Sequence, residues 1–317
     1  MTFAAYSEAA AGLGRSGDAS NVITAAPGEI ERDASELVSG DVSFRTMELQ
    51  ASPPAEPELA PGLLGTASPR PGMTYRLLRA IWRGAARLMG ARLELEGAEH
   101  LPRDLRGRPT GGWIAAVVPH RTWIDPFVPW ILLPERPRFA FFGDSRAMAR
   151  SPLRRFVVRR LGGVIPIPAS RDPRTVALHL EAAKTVLDAG LVFMLMPETG
   201  PPSAPGALRR IGGGMAYVAL RSRAPIVPLV LGGNEELYLG RRIILRVLPL
   251  LDPFELAGLA PDAPSPEPGS SAERRATQRL TRAFASAVAA AVADAHHRSI
   301  PPPGSRKRGR RLTTLFR

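Results

Sequence analysis

Residues 113–126 read WIAAVVPHRTWIDP, and the first seven of them decide the fold class. Trp113–Pro119 is an unbroken apolar run of strand length, preceded by Gly111-Gly112. A strand with one wet face alternates apolar and polar side chains, whereas an uninterrupted run fits a strand covered on both sides. Runs of the same kind return at Phe139–Phe142, Val164–Ile167, Leu191–Met196, Ile226–Leu231 and Ile243–Leu248. Helix-length patterns lie between several of them, at Arg174–Ala189 and Leu208–Arg223. Buried strands alternating with helices predict an α/β domain whose mostly parallel sheet is flanked by helices.

Outward from this core the composition changes. Residues 1–70 are rich in Ala, Gly, Ser, Pro and acid without sustained periodicity, and read as a disordered acidic leader. Residues 71–92 carry a basic amphipathic helix: Leu77, Leu78, Ile81, Trp82, Ala85, Leu88 and Met89 recur at helical spacing, with Arg76, Arg79, Arg83 and Arg87 on another face. Such a helix either packs on the domain with its charged side in water or lies in a membrane surface with Trp82 inserted. The core spans 93–251, a Pro-rich loop 252–271, a C-terminal Ala-rich helix 272–298, and a basic tail 299–317.

The net charge of +13 is unevenly spread. The leader holds 4 Lys/Arg against 10 Asp/Glu, which leaves 38 basic and 19 acidic residues in the remainder. A body this basic expects an anionic partner: a lipid surface, nucleic acid or a phosphorylated small molecule. The chain has no cysteine, which excludes disulfides, a thiol nucleophile and Cys-ligated metal centres. Neither a signal peptide nor an 18-residue uncharged apolar stretch is found, so the expected address is cytoplasmic, on a membrane surface.

His120 directly follows the Trp113–Pro119 run, at the strand end where open α/β sheets place their ligands. Asp125 stands five positions later. An imidazole can take a proton from a hydroxyl, and a carboxylate on its other nitrogen fixes the tautomer and stabilises the imidazolium. No Gly-x-Ser-x-Gly elbow occurs, so the missing nucleophile can be the substrate's own hydroxyl. The bland alternative is a structural His–Asp pair. His100, His179, His296 and His297 stand in contexts that fit structural or solvated roles, and Gly212-Gly213-Gly214 reads as close packing or a helix start, since no Lys-Ser/Thr follows it.

Four blocks between Leu93 and Gly233 resemble the glycerolipid acyltransferases typified by the 1-acylglycerol-3-phosphate acyltransferases. Pro119–Pro126 is similar to the family's H-x4-D block, Gly163–Arg171 to its Gly-x-x-Phe-Ile-x-Arg stretch, Met196–Pro201 to its Phe-Pro-Glu-Gly-Thr-Arg block, and Ala224–Leu229 to its fourth. The resemblance implies that His120 is the general base, oriented by Asp125, and that the acceptor hydroxyl attacks the thioester of acyl-CoA or acyl carrier protein. It further implies that Glu198, Thr199 and Gly200 line the acceptor wall and that Arg171 pairs a phosphate, with no cofactor or metal required. Two departures fall in that wall. Arg171 comes two residues later than the pattern, and Thr199-Gly200 stands in the reverse order, with Pro201 where the pattern has arginine. Arg209 and Arg210 are candidates to replace the lost charge, as a guanidinium fork bonds phosphate oxygens in pairs. The expected partners are thus an acyl thioester, a lysophospholipid and the cytoplasmic face of an anionic membrane, with no nucleic acid. An acceptor other than 1-acyl-sn-glycerol-3-phosphate, and a non-catalytic protein binding anionic surfaces, are the competing readings.

Overall fold

The computed structural model describes residues 71–122, 124–144, 163–167, 173–201 and 204–302. The chain divides into a unit Met1–Pro53 and a unit Pro54–Arg317, and the described residues all belong to the second. The acidic leader, Arg171 and residues 303–317 of the basic tail lie outside the described residues.

In chain order the elements are α1 (Met73–Leu88), β1 (Arg92–Glu96), β2 (Trp113–Val118), α2 (Phe127–Leu132), β3 (Phe139–Asp144), β4 (Val164–Ile167), α3 (Pro173–Asp188), β5 (Val192–Leu195), β6 (Glu198–Thr199), β7 (Arg210–Ile211), α4 (Gly213–Ser222), β8 (Ile226–Gly232), β9 (Arg242–Val247), α5 (Pro253–Leu256) and α6 (Ser271–Ser299). Seven strands form one sheet in the order β1-β9-β8-β2-β5-β3-β4. All neighbours are parallel except β8 and β9, so the expected mostly parallel α/β architecture is present. Strand β2 lies at the centre, with Ile114 to Val118 in register with Ile226 to Val230 of β8.

Every residue of β2 is buried, as its sequence demands. Ile114, Ala116 and Val118 face a core that also holds Phe193, Ala216, Leu280, Phe284 and Val288, beneath α3, α4 and α6. Trp113, Ala115 and Val117 face the opposite core with Tyr75, Trp130 and Ile131, beneath α1 and α2. The glycine pair before β2 has a steric cause: a Cβ at Gly111 would collide with the carbonyl of Gly190.

Several boundaries differ from the sequence reading. The helix expected at Leu208–Arg223 starts only at Gly213, because Arg210–Ile211 pairs antiparallel with Glu198–Thr199. Gly212 is its N-cap, so the triple glycine is a helix start. The Pro-rich stretch after Leu251 contains α5, capped by Asp252, whose carboxylate accepts from the amides of Phe254 (2.7 Å) and Glu255 (3.1 Å). Helix α6 runs longer than expected, from a Ser270 cap to Ser299, and buries Ala276, Leu280, Phe284, Val288 and Val292 along one stripe.

Helix α1 corrects the expectation more deeply. Arg79 does not sit on a solvated face: it is 1% exposed, and its guanidinium donates to the carbonyls of Ile131 (3.2 Å) and Leu133. Arg83 donates through Nε to the Ile131 carbonyl at 2.7 Å. The last carbonyls of a short helix such as α2 have no partner within the helix, and the two arginines supply donors. Trp82 points inward as well, stacked on Phe127 with centroids 4.7 Å apart, while Tyr75 meets Trp130 edge-on at 5.4 Å. Met73, Leu77, Ile81 and Leu88 are left exposed on the outer side.

Strand β1, a sheet edge that periodicity alone did not reveal, is tied to β9 and α6 by ion pairs. Glu94 accepts from Arg242 through both oxygens at 2.7 Å, and Glu96 accepts from Arg246 (2.9 Å) and Arg298 (2.5 Å). Asp294 closes the network on Arg246 at 2.7 Å. The Arg298 guanidinium holds the Glu96 carboxyl below its ordinary pKa of 4.5. A carboxylate depressed on folding contributes stability that is fully present above its unfolded value and lost as the pH falls through the folded one. We therefore expect Glu96→Gln to lower Tm at pH 7 by about 2–4 °C, for a partly exposed network worth about 1 kcal/mol. The difference from wild type should shrink as the pH falls below the ordinary carboxylate range and vanish once wild-type Glu96 is protonated in the folded protein. An equal Tm at pH 7 would show that the network adds nothing to stability.

Candidate active site

His120 leaves β2 between the ends of β5 and β8. The chain then turns at once, with the Asp125 amide on the Thr122 carbonyl (3.2 Å), before α2 begins. The Asp125 side chain is fully buried inside this turn and organises it. Its Oδ2 accepts from the amides of Arg121 (2.5 Å) and Thr122 (2.7 Å) and faces His120 Nδ1 at 3.0 Å, and its Oδ1 accepts from Thr122 Oγ1 at 2.7 Å. A carboxylate can only accept, so Nδ1 carries a proton, and in the neutral ring Nε2 is then the nitrogen with the lone pair. The His120 side chain is 31% exposed. The arrangement fixes the orientation of a partly exposed imidazole, and in its neutral form such a ring can abstract a proton from a hydroxyl through Nε2.

Glu198 enters from the end of β5. One of its oxygens accepts from the His120 amide at 2.8 Å and the other from the Arg209 amide at 2.8 Å. The carboxylate thus bridges the histidine turn and the segment leading into β7. Asn234, beyond β8, braces the same turn by donating Nδ2 to the Pro119 carbonyl at 3.0 Å, and is 1% exposed. Sequence reasoning passed over Asn234; its one signal was its place three residues past the apolar run Ile226–Leu231.

Thr199 Oγ1 donates to the Arg210 carbonyl at 3.3 Å across the β6–β7 ribbon. Gly200 turns the chain there with φ +87°. The Arg121 guanidinium donates to the Ala207 carbonyl. Arg209 is half-buried, and burial, followed by the nearby charge of Arg121, lowers its pKa from the ordinary arginine value. Of the residues singled out in the sequence, the structure brings His120, Asp125, Glu198 and Arg209 together, with Thr199 and Gly200 at the adjoining turn. The other histidines lie elsewhere: His100 Nδ1 meets the Val247 carbonyl (3.0 Å), His179 packs on Phe142 (centroids 5.6 Å) and His296 pairs with Glu235 (2.9 Å). Among the described residues, no group of three or more His, Cys, Asp or Glu is arranged to hold a metal ion.

Residues 92–232 match the family model described as Acyltransferase. Over this segment, somewhat less than half of its length, the chain is similar to the acyltransferases. It is 26% identical over 200 residues to mouse (Mus musculus) 1-acyl-sn-glycerol-3-phosphate acyltransferase alpha, a match covering 59% of this chain and 63% of that protein. Less than two thirds of that relative's length is therefore spanned. Among solved structures it is similar to the 1-acyl-sn-glycerophosphate (LPA) acyltransferase PlsC from Thermotoga maritima, with 18% identity, a TM-score of 0.47, and coverage of 68% of this chain and 78% of that one. The family segment runs from the start of β1 to the end of β8, so it contains His120, Asp125, Glu198 and Arg209. Asn234 and the two helices that cover the sheet from outside this segment, α1 and α6, lie beyond the match.

Proposed function

We propose that this protein transfers a fatty acyl group from a thioester, acyl-CoA or acyl carrier protein, to the hydroxyl of a lysophospholipid, with 1-acyl-sn-glycerol-3-phosphate as the leading acceptor. The observation that carries the reading is the His120–Asp125 pair, 3.0 Å apart, with Asp125 buried and His120 open to substrate. Nε2 of His120 takes the proton of the acceptor hydroxyl, and the oxygen attacks the thioester carbonyl. Collapse of the tetrahedral intermediate breaks the carbon–sulfur bond, and the leaving thiolate recovers the proton from the imidazolium. Asp125 holds the ring through Nδ1 and stabilises its positive charge in the transition state. No acyl-enzyme forms. Glu198 acts in this scheme by fixing the His120 amide, and Thr199, Gly200 and Arg209 border the acceptor.

The test is release of free thiol from acyl-CoA, dependent on added acceptor. The expected result is turnover with lysophospholipids, fastest with 1-acyl-sn-glycerol-3-phosphate. Absence of acceptor-dependent release with every lysophospholipid would overturn the reading. The reversed Thr199-Gly200 and Pro201 favour a second acceptor class, a lyso-aminolipid or lyso-glycolipid, and a faster rate with one of these would establish it.

We place the protein on the cytoplasmic face of the cell membrane as a peripheral protein. Among the described residues no helix is long and apolar enough to cross a membrane. The support is the outer side of α1, where Met73, Leu77, Ile81 and Leu88 are exposed beside Arg76 and Arg87. Apolar side chains entering the acyl boundary with arginines at the headgroups are the pattern of an interfacial helix. Leu77→Ser with Ile81→Ser is expected to weaken binding to anionic phospholipid vesicles roughly 10–100-fold, measured by co-sedimentation. Trp82→Ala, by contrast, should act through stability, since Trp82 stacks on Phe127. Unchanged vesicle binding in the double variant would remove α1 from the lipid contact.

A further inference from the structure

Strand β2 ends at Val118, in register with Val230 of β8. The Pro119 carbonyl and the His120 N–H that follow are the two ends of one planar peptide unit. Side chains arriving from the two neighbouring strands hold it. Glu198, just past β5, accepts from the His120 N–H through Oε2 at 2.8 Å. Asn234, just past β8, donates Nδ2 to the Pro119 carbonyl at 3.0 Å. The peptide that carries His120 is therefore clamped at both ends, and fixing its plane constrains the direction in which the imidazole leaves the backbone.

Asn234 is itself held from beyond the matched segment. The Gly233 carbonyl accepts from Nε of the buried Arg241 at 2.8 Å, and a Cβ at Gly233 would collide with the Arg242 carbonyl. On the other side of Asn234, Glu235 Oε1 faces His296 Nδ1 of α6 at 2.9 Å. The His296 ring lies against Gly206, where a Cβ would stand only 2.7 Å from it. Gly206 leads to Arg209, whose amide holds the other oxygen of Glu198. The last turns of α6 thus support both arms of the clamp. Stability does not account for an asparagine here: the side chain is buried, and among the described residues its Oδ1 has no hydrogen-bond partner. A buried amide matched at one end only returns little net stability.

We infer that Asn234 is a positioning residue for His120, and that the Glu235–His296 pair keeps the two arms of the clamp in place, so that the carboxyl end of α6 belongs to the catalytic frame. The inference rests on the proposed acyl transfer for the reaction in which His120 is used. Asn234 acts through the Pro119–His120 peptide and not on the reacting atoms. A general base must keep its nitrogen within hydrogen-bond reach of the hydroxyl, and a displacement of about 1 Å can cost on the order of 100-fold in rate. The loss falls on kcat rather than KM, because the clamp orients the base and does not border the acceptor.

The experiment compares the full-length wild type with Asn234→Ala, Asn234→Asp and His296→Ala. Asn234→Asp keeps the shape of the side chain but, once ionised, has no proton for the Pro119 carbonyl. Both Asn234 variants are expected to lower kcat roughly 10–100-fold with KM within about twofold of wild type, and His296→Ala to lower kcat roughly 3–10-fold in the same way. A second readout needs no turnover. In 15N-histidine-labelled protein the His120 backbone amide, identified by its loss in His120→Ala, should shift and exchange with solvent roughly tenfold faster in Asn234→Ala. Wild-type kcat in both Asn234 variants would overturn the inference. A lowered kcat with an unmoved His120 amide would overturn it too, because the loss would not then pass through the peptide. If the wild type acylates no acceptor, the acyl-transfer reading fails and the amide alone decides: faster exchange upholds the clamp, unchanged exchange overturns it. If neither Asn234 variant folds, the same two readouts on His296→Ala decide.

Discussion

Replacing His120 by alanine is expected to lower kcat roughly 10²–10⁴-fold while leaving the fold in place. The size follows from the proposed role, in which His120 both removes the hydroxyl proton and returns it to the thiolate, and general acid–base catalysis of this kind is worth about that factor. The fold should tolerate the change because the side chain is 31% exposed and its hydrogen bond is to the already well-satisfied Asp125. The backbone clamp from Glu198 Oε2 to the His120 amide does not depend on the side chain. Steady-state thiol release at saturating acceptor gives kcat, and a thermal melt gives the control. A variant with near wild-type kcat would mean that another group is the base.

Asp125→Ala is expected to remove activity at least as completely and, unlike His120→Ala, to destabilise the protein. Asp125 is fully buried and accepts from the Arg121 amide, the Thr122 amide and the Thr122 hydroxyl besides facing His120. Its removal leaves these buried donors without their acceptor. Buried donors cost about 1–3 kcal/mol each, and partial entry of water brings the total to about 3–5 kcal/mol, or a fall in Tm on the order of 10 °C. Asp125→Asn separates the two effects. It keeps an acceptor and the volume, so most stability should survive, but it loses the charge that fixes the tautomer and stabilises the imidazolium, so kcat should remain low. An Asp125→Ala protein with wild-type Tm would contradict the hydrogen-bond cage. Wild-type kcat in Asp125→Asn would contradict the orienting role.

How far the sequence could be read depended on whether a residue's task was recorded in periodicity or in packing. β2 was legible because burial on both faces forces a continuous apolar run, and the same held for Leu191–Met196 and Ile226–Leu231. The His120–Asp125 pair was legible because both partners sit on one turn, so five residues of sequence bring them within reach. Arg79 was not. A guanidinium that caps the carbonyls of a helix more than fifty residues away obeys the same helical spacing as one in water, and only the docking of α1 on α2 tells them apart. Strand β1 escaped for a related reason: Arg92–Glu96 alternates charge because it is an edge strand paired by ions to β9 and α6, and its partners are over a hundred residues distant.

The acceptor side shows the same division. The sequence marked Glu198 as a carboxylate at a strand end and Arg209 as a spare cation. That Glu198 spends both oxygens on the amides of His120 and Arg209, and that Arg121 reaches Ala207, follows from loops that approach only after β2 and β5 lie side by side. By itself, then, the sequence determined the layered α/β fold and the pairing of His120 with Asp125, since apolar periodicity and short-range spacing are local quantities. Tertiary structure alone decided which arginines are struts and which line the site, because a guanidinium's role is set by the carbonyls and charges that distant segments bring to it.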